Sequence, residues 1–187
     1  MSLDDLTGMM PPHEGAGAAI DWEAAERAYG VAFPSDYRAF MARFGAGTIE
    51  NYLTVLAPEM SEDGLAEGPM VFITDDARGT WEDEPGPLDV PAERLLAWGC
   101  DDTGDLLCWL TQGDVPEAWP VVIYNRGDDA WRVVDCGLVE FLRRILRAEF
   151  DELPLSGTTL WGENAARFLT QAEEARIKAA GQDPWAD

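Results

Sequence analysis

Residues Trp98-Gly99-Cys100-Asp101-Asp102-Thr103-Gly104-Asp105, running into Leu106-Leu107-Cys108-Trp109-Leu110, read as strand, tight acidic turn, strand. Apolar runs flank a turn of Asp, Thr and Gly, the residues that tolerate turn backbone angles. A second unit of the same kind follows. Trp119-Pro120-Val121-Val122-Ile123-Tyr124 leads through Asn125-Arg126-Gly127-Asp128-Asp129 into Ala130-Trp131-Arg132-Val133-Val134. Two antiparallel hairpins with acidic tips make a scaffold suited to holding something basic. Neither supplies a nucleophile, a base or a metal cage.

Working outward, the N-terminal side is helical. Asp21 is placed to cap a helix with Trp22, Ala25 and Tyr29 on one face, and Gly30 is placed to end it. Ser35 is placed to cap a second helix, whose stripe is Tyr37, Phe40, Met41 and Phe44. Gly45 and Gly47 stop that helix, and Thr48 to Leu56 reads as one strand. Within 58–91, residues Pro69 to Thr74 read as a short strand and Arg78 to Pro87 as an exposed acidic loop. A helical turn is expected between Pro91 and Leu96. After the second hairpin, a helix is expected from Gly137 to Phe150. Leu138, Phe141, Leu142, Ile145 and Leu146 face inward on it, with Arg143, Arg144 and Arg147 opposite. A last helix is expected from Thr159, with Trp161, Ala165, Phe168 and Ala172 on one face. Glu163–Arg167 and Glu174–Lys178 are spaced for surface pairs on it. Residues 1–19 are rich in Gly, Pro and Met and read as a loose extension, and 181–187 as a frayed tail. Residues 20–180 are then one domain. Helices, grouped strands and helices in that order predict an α+β fold, an antiparallel curved sheet flanked by N- and C-terminal helices.

Composition restricts the function. The 187 residues carry 36 acids against 13 bases, a formal net charge of -23, and Lys178 is the one lysine. Phosphate contact needs local positive charge, so nucleic acid is not an expected partner. Anionic membrane surfaces are disfavoured too, and no apolar run is long enough to span a bilayer. A basic protein partner is favoured by steering and complementarity. A high-salt or generally acidic proteome would give the same overall charge. Glu59 to Asp105, however, holds 14 acids against Arg78 and Arg94, a net of -12 in 47 residues, which is uneven for a halophilic surface. Cys100, Cys108 and Cys136 form no Cys-x-x-Cys pair and sit in apolar runs, as reduced thiols of a cytoplasmic protein do. Cys100 and Cys108 flank one turn, where facing thiols are more natural than a disulfide. The acidic start shows no signal peptide.

Candidate chemistry is sparse. His13, the one histidine, lies in the N-terminal extension, away from any catalytic or metal partner. Asp101, Asp102 and Asp105 fail the calcium-loop pattern, because Thr103 stands where a carboxylate is needed. Adjacent Asp75 and Asp76 would point apart in a strand. Ser35, Ser61 and Ser156 have no neighbouring base, and Phe44-Gly45-Ala46-Gly47 closes a helix rather than opening one onto phosphate. No catalytic residue, cofactor or metal site is expected. Trp22, Trp98 and Trp161 fit core positions. Trp81 has two readings, an exposed interface anchor among carboxylates or a ring folded back onto the sheet. The candidate partner-binding residues are Asp75, Asp76, Trp81, Glu82, Asp83, Glu84, Asp101, Asp102, Asp105, Asp128 and Asp129.

One ordered set of motifs resembles a known family. Trp22…Glu26…Gly30-Val31-Ala32-Phe33-Pro34-Ser35-Asp36-Tyr37-Arg38-Ala39-Phe40…Phe44-Gly45-Ala46-Gly47 resembles the opening of the SUKH superfamily, also called the Smi/Knr group. Leu96-Ala97-Trp98-Gly99, Thr103-Gly104-Asp105, Cys108-Trp109, Trp119-Pro120-Val121-Val122 and Glu140-Phe141-Leu142 are similar to its later motifs. The resemblance covers roughly Asp21 to Phe150. It implies a compact α+β fold in which Trp22, Gly30, Pro34, Tyr37, Phe40, Gly45, Gly47, Trp98, Gly99, Gly104 and Trp109 are structural. It also implies a non-catalytic, protein-binding role. In bacterial members that role is immunity against a toxin domain, often a nuclease or deaminase. In fungal members it is cell-wall regulation through protein contacts. Richness in Ala, Gly, Asp, Glu and Arg suggests a high-GC bacterium and so the immunity branch.

Overall fold

The computed structural model describes residues 3–186. Its centre is a seven-stranded antiparallel sheet ordered β8-β7-β6-β5-β2-β1-β9. The two hairpins form as the sequence predicts. They are β5 (Leu95–Asp101) with β6 (Leu106–Leu110), and β7 (Val121–Asn125) with β8 (Ala130–Val134). Central strands β5, β6 and β7 are buried nearly throughout rather than on alternate residues, because both faces of this half of the sheet are covered.

The inner face carries the main core. Helix α2 (Trp22–Tyr29) starts at Asp21, whose carboxylate accepts from the Ala24 amide at 3.0 Å, and ends at Gly30 in the left-handed region. Helix α3 (Ser35–Arg43) lays Tyr37, Phe40 and Met41 into the core. The Tyr37 ring meets Trp109 edge-on at 4.9 Å, and its hydroxyl donates to the Leu56 carbonyl. Pro34 is the N-cap of this helix, not Ser35. The Ser35 amide is satisfied by Glu117 from a distant turn, so the Ser35 hydroxyl is not needed as a cap. Helix α5 (Leu138–Leu146) is shorter than the sequence predicts and stops before Ala148, which takes φ 52°. Arg143 lies buried, not on an exposed basic face, because Glu140 and Glu149 both bind its guanidinium.

Residues 3–19 are not loose. Helix α1 (Leu3–Met9) buries Leu6 and Met9 in the core, and Met10 just beyond it is buried too. Spacings of three and four put these residues on one helical face, a signal masked by Gly8, Pro11 and Pro12. His13 is not a free surface residue either, since its Nε2 lies 3.1 Å from Thr170 Oγ1.

Thr48 to Leu56 is two strands rather than one. Strands β1 (Gly47–Ile49) and β2 (Leu53–Val55) join through Glu50 and Asn51, both at φ 50°. Gly47 packs so closely on the neighbouring strand that a Cβ there would enter the Leu169 carbonyl. The helix expected from Thr159 is absent. Turns lead instead to the edge strand β9 (Phe168–Thr170) and then α6 (Gln171–Ala179). Gly162 at φ 79° interrupts any helical register there, and the Thr170 hydroxyl caps α6. Of the two expected surface pairs, Glu174–Lys178 forms on α6. Residue 163 instead precedes the extended β9, so no helix brings it to Arg167. The tail is tied down through Ala186. Arg167 donates to the carbonyls of Pro184 and Ala186, and Pro184 is buried. Asp187 lies outside the described residues.

The largest departure from sequence expectation is at residues 58–91. A small hairpin, β3 (Glu59–Met60) with β4 (Ala66–Glu67), leads into the 15-residue helix α4 (Pro69–Asp83). The strand expected at Pro69–Thr74 is helix instead, and the loop expected from Arg78 begins only after Asp83. Met70, Thr74, Ala77 and Trp81 recur every three or four residues and are all buried. Pro69 sits in the first turn, where its missing N–H is harmless. Helix α4 lies across the outer face of the sheet. Its Ala77 and Trp81 close a second core with Leu95, Ala97, Leu106, Cys108, Leu110, Val122, Tyr124 and Trp131.

Helix α4 also completes β5. Strand β2 ends before the first half of β5, leaving an open strand edge. The Thr74 hydroxyl accepts from the Ala97 amide at 3.0 Å, and Arg78 donates to the Leu95 carbonyl at 3.1 Å. Side chains thus replace a strand partner, which an edge otherwise demands. Among the described residues, no helix is long and apolar enough to cross a membrane.

Candidate protein-binding face

Antiparallel pairing puts alternate turns at one end of a sheet. Three turns meet at this end: Glu50–Asn51 after β1, residues 102–105 after β5, and residues 126–129 after β7. All three bring carboxylates. Asp102, Asp128 and Asp129 are exposed there, and Glu50 and Asp101 are half-buried. The end of α4 comes near as well, since Trp81 meets Trp131, the register partner of Tyr124 beside the 126–129 turn. The 151–157 segment joins them through Glu152, within 3.8 Å of Arg132. Glu50 and Glu152 were not among the expected residues. Pairing of β2 with β5 reveals the first, and loop contacts to Arg132 and Asp105 reveal the second.

The expected residues divide into two groups. Glu82, Asp83, Glu84, Asp102, Asp128 and Asp129 are exposed carboxylates. Asp75 and Asp76 are also exposed, but on the first half of α4, away from the turns. Asp101, Asp105 and Trp81 have internal duties. One Asp101 oxygen accepts from the Thr103 amide, the Thr103 hydroxyl and the Asp105 amide at 3.0, 2.7 and 2.9 Å, which holds the turn. Gly104 in that turn takes φ 90°. Trp81 resolves to the folded-back reading. Its ring meets Trp131 at 4.9 Å and its indole N–H donates to the Val90 carbonyl.

Asp105 is fully buried and cannot meet a partner directly. It accepts from the Arg126 amide at 2.8 Å, the Ser156 amide at 2.6 Å and the Ser156 hydroxyl at 2.5 Å. Burial pushes its carboxyl above the ordinary range, and these donors pull the other way. Ser156 also accepts from the Gly127 amide at 2.8 Å, and Asn125 donates to the Pro154 carbonyl at 3.2 Å. Two hairpin tips and a loop are thus fastened to one carboxylate. Arg126 bends back over Tyr124 at 4.9 Å and donates to the Gly104 carbonyl at 3.3 Å, so this cation stays close to the surface.

Among the described residues, no reactive thiolate or metal set accompanies these groups. Burial pushes the thiols of Cys100, Cys108 and Cys136 up, the last to about 12, which disfavours thiolate. Cys100 and Cys108 do not face each other, because Cys108 lies opposite Ala97 and Cys100 opposite Leu106. Among the described residues, no three His, Cys, Asp or Glu side chains are grouped to hold a metal ion.

On the outer face, a groove of about 410 Å³ lies between the start of α4 and α6. Thr48, Thr54 and Cys100 form part of its floor, and Phe72 and Ile73 part of one wall. Phe72 is 73% exposed, the most exposed large apolar side chain among the described residues.

The motif residues are accounted for by the packing: Trp22 leans on Phe33 and Tyr37, Phe40 stacks on Phe44 at 4.7 Å, and Trp98 and Trp109 lie at the centre of the core. Neither a curated protein nor a solved structure matches the chain. A family profile does, SUKH_6, described as SMI1-KNR4 cell-wall, over residues 20–142. That span includes α2, α3, α4 and the hairpins that carry most of the acidic end. The chain therefore belongs to the SUKH_6 family, within the SUKH superfamily of Smi/Knr-type protein-binding modules.

Proposed function

We propose that this chain is an immunity protein that binds and neutralises a toxin domain with a basic surface, without catalysis of its own. The observation that carries the reading is the gathering of carboxylates from three turns and the end of α4 around one end of the sheet. A nuclease or other nucleic-acid-directed toxin must present cations to phosphate. A rigid array of carboxylates offers those cations the same sign of charge, and would steer association and compete for the cleft. The acidic composition and intracellular cysteine usage fit a cytoplasmic site of action. The second reading is a regulatory or scaffold module with a host-protein partner, favoured by the cell-wall description of the matching family.

The test uses the toxin encoded beside this chain's gene and a variant carrying Glu84→Gln, Asp102→Asn and Asp129→Asn. These three are exposed, so folding should be little changed. Association with the toxin should slow and lose salt dependence, and protection of toxin-expressing cells should weaken. Unchanged on-rates and protection would remove the acidic end as the interface. Absence of a neighbouring toxin, with a housekeeping protein bound instead, would favour the scaffold reading.

A further inference from the structure

The groove between α4 and α6 is built unlike the rest of the outer face. Elsewhere, Ala77 and Trp81 of α4 seal the sheet. Over β1, β2 and the end of β5, α4 does not reach, and Thr48, Thr54 and Cys100 remain beneath an open space. Its volume of about 410 Å³ lies in the roughly 300–1,000 Å³ range of pockets that enclose a compact group. Its walls include Ala57, Pro69 and Ile73, and Phe72 stands largely in solvent at its rim. Leaving such a ring uncovered forgoes the burial that Trp81 of the same helix achieves.

Two observations indicate what covers it. The ionisable carboxylates of the lining are Glu59 and Glu174, and no Arg or Lys lines the groove, although Lys178 pairs with Glu174 from the next turn of α6. The groove is also continuous with the acidic end. Cys100 and Thr54 are register partners on its floor, and the next pair along the ladder is Asp101 with Leu53, at the turn. An apolar depression beside a band of carboxylates is the apolar core and polar rim of a protein interface.

We infer that this groove seats an apolar side chain from a basic protein segment, with Phe72 as the chain's own aromatic anchor and flanking cations over Glu59 and the acidic turns. The inference rests on the protein-binding reading above and assigns the part of the interface that the carboxylates do not supply. Charge governs encounter, and the groove governs residence time.

Short synthetic peptides test this without knowledge of the natural partner. One alternates Arg and Leu, a second replaces Leu by Ser, and a third replaces Arg by Gln. Amide shifts of the full chain are followed by NMR. The Arg/Leu peptide should shift Thr48, Thr54, Phe72 and Cys100. Phe72→Ser should weaken its binding by about tenfold or more, as for an interface anchor. An unchanged unfolding midpoint will show that the variant is folded. The Arg/Ser peptide should shift the turn amides and leave the groove silent. If the Arg/Leu peptide also shifts only the turns, or binds Phe72→Ser equally well, the groove inference falls while the acidic end stands. If the Leu/Gln peptide or a neutral detergent micelle fills the groove as tightly, the occupant is an apolar ligand of another class and the inference falls. Silence at groove and turns alike counts against both readings.

Discussion

The two halves of the sheet's outer face answer the same physical demand in opposite ways. Over β5 to β8 the outward side chains are Leu95, Ala97, Leu106, Cys108, Leu110, Val122, Tyr124 and Trp131, and α4 closes them with Ala77 and Trp81. Over β1 and β2 the outward residues are Thr48 and Thr54, whose hydroxyls lie 3.2 Å apart. Helix α4 starts at the border of the open half and runs over the covered one. Trp81 near its end is 4% exposed, and Phe72 near its start is 73% exposed. The same helix therefore serves as a structural seal at one end and as an unfilled surface at the other. Where burial is complete the strands are apolar on both faces, and where α4 leaves the sheet open the floor becomes polar and small.

The sharpest way to break this contrast is to remove the seal. Trp81→Ala should destabilise the fold by about 3–5 kcal/mol, in the range of large aromatic truncations, because Trp131, which itself packs on Tyr124, loses its ring partner from α4. Urea unfolding measures it, and a shift under about 1 kcal/mol would mean that α4 is not a structural layer. An intermediate effect is expected at the junction of the two halves. Thr74→Val keeps the shape but leaves the Ala97 amide unpaired, at a cost of about 1–3 kcal/mol. Hydrogen exchange at Ala97 should rise with it, and an unchanged exchange rate would show that the hydroxyl is dispensable. The smallest effect should come from the open half. Phe72→Ala should move stability by no more than about 0.5 kcal/mol in either direction, and a larger loss in thermal unfolding would make Phe72 part of the fold rather than of an interface.

What the sequence revealed followed the range of the interactions. Asp21 and Gly30 bound α2 through contacts three or four residues away, and the turns after β5 and β7 close on themselves, so both were legible. Helix α4 was not. Val71, Ile73 and Thr74 favour strand, Gly79 interrupts the pattern, and the buried stripe makes sense only against a sheet formed by later residues. Likewise α1 packs on α5, which lies more than a hundred residues further on. The acidic end was half legible. Its turn carboxylates stand in the sequence, but Glu50 joins them through strand pairing and Glu152 through the loop that Asp105 and Arg132 hold. Asp105 looked like another turn carboxylate because its partners are 21 and 51 residues away.

The fastening at Asp105 also separates two kinds of information. The shape of the acidic end depends on Asp105, Asn125 and Ser156, which face inward, whereas its charge is carried by Asp102, Asp128, Asp129 and Glu84, which face water. A lineage whose binding partner changes can therefore rewrite the charges singly, each by a step that folding barely registers, while the frame that displays them is inherited intact.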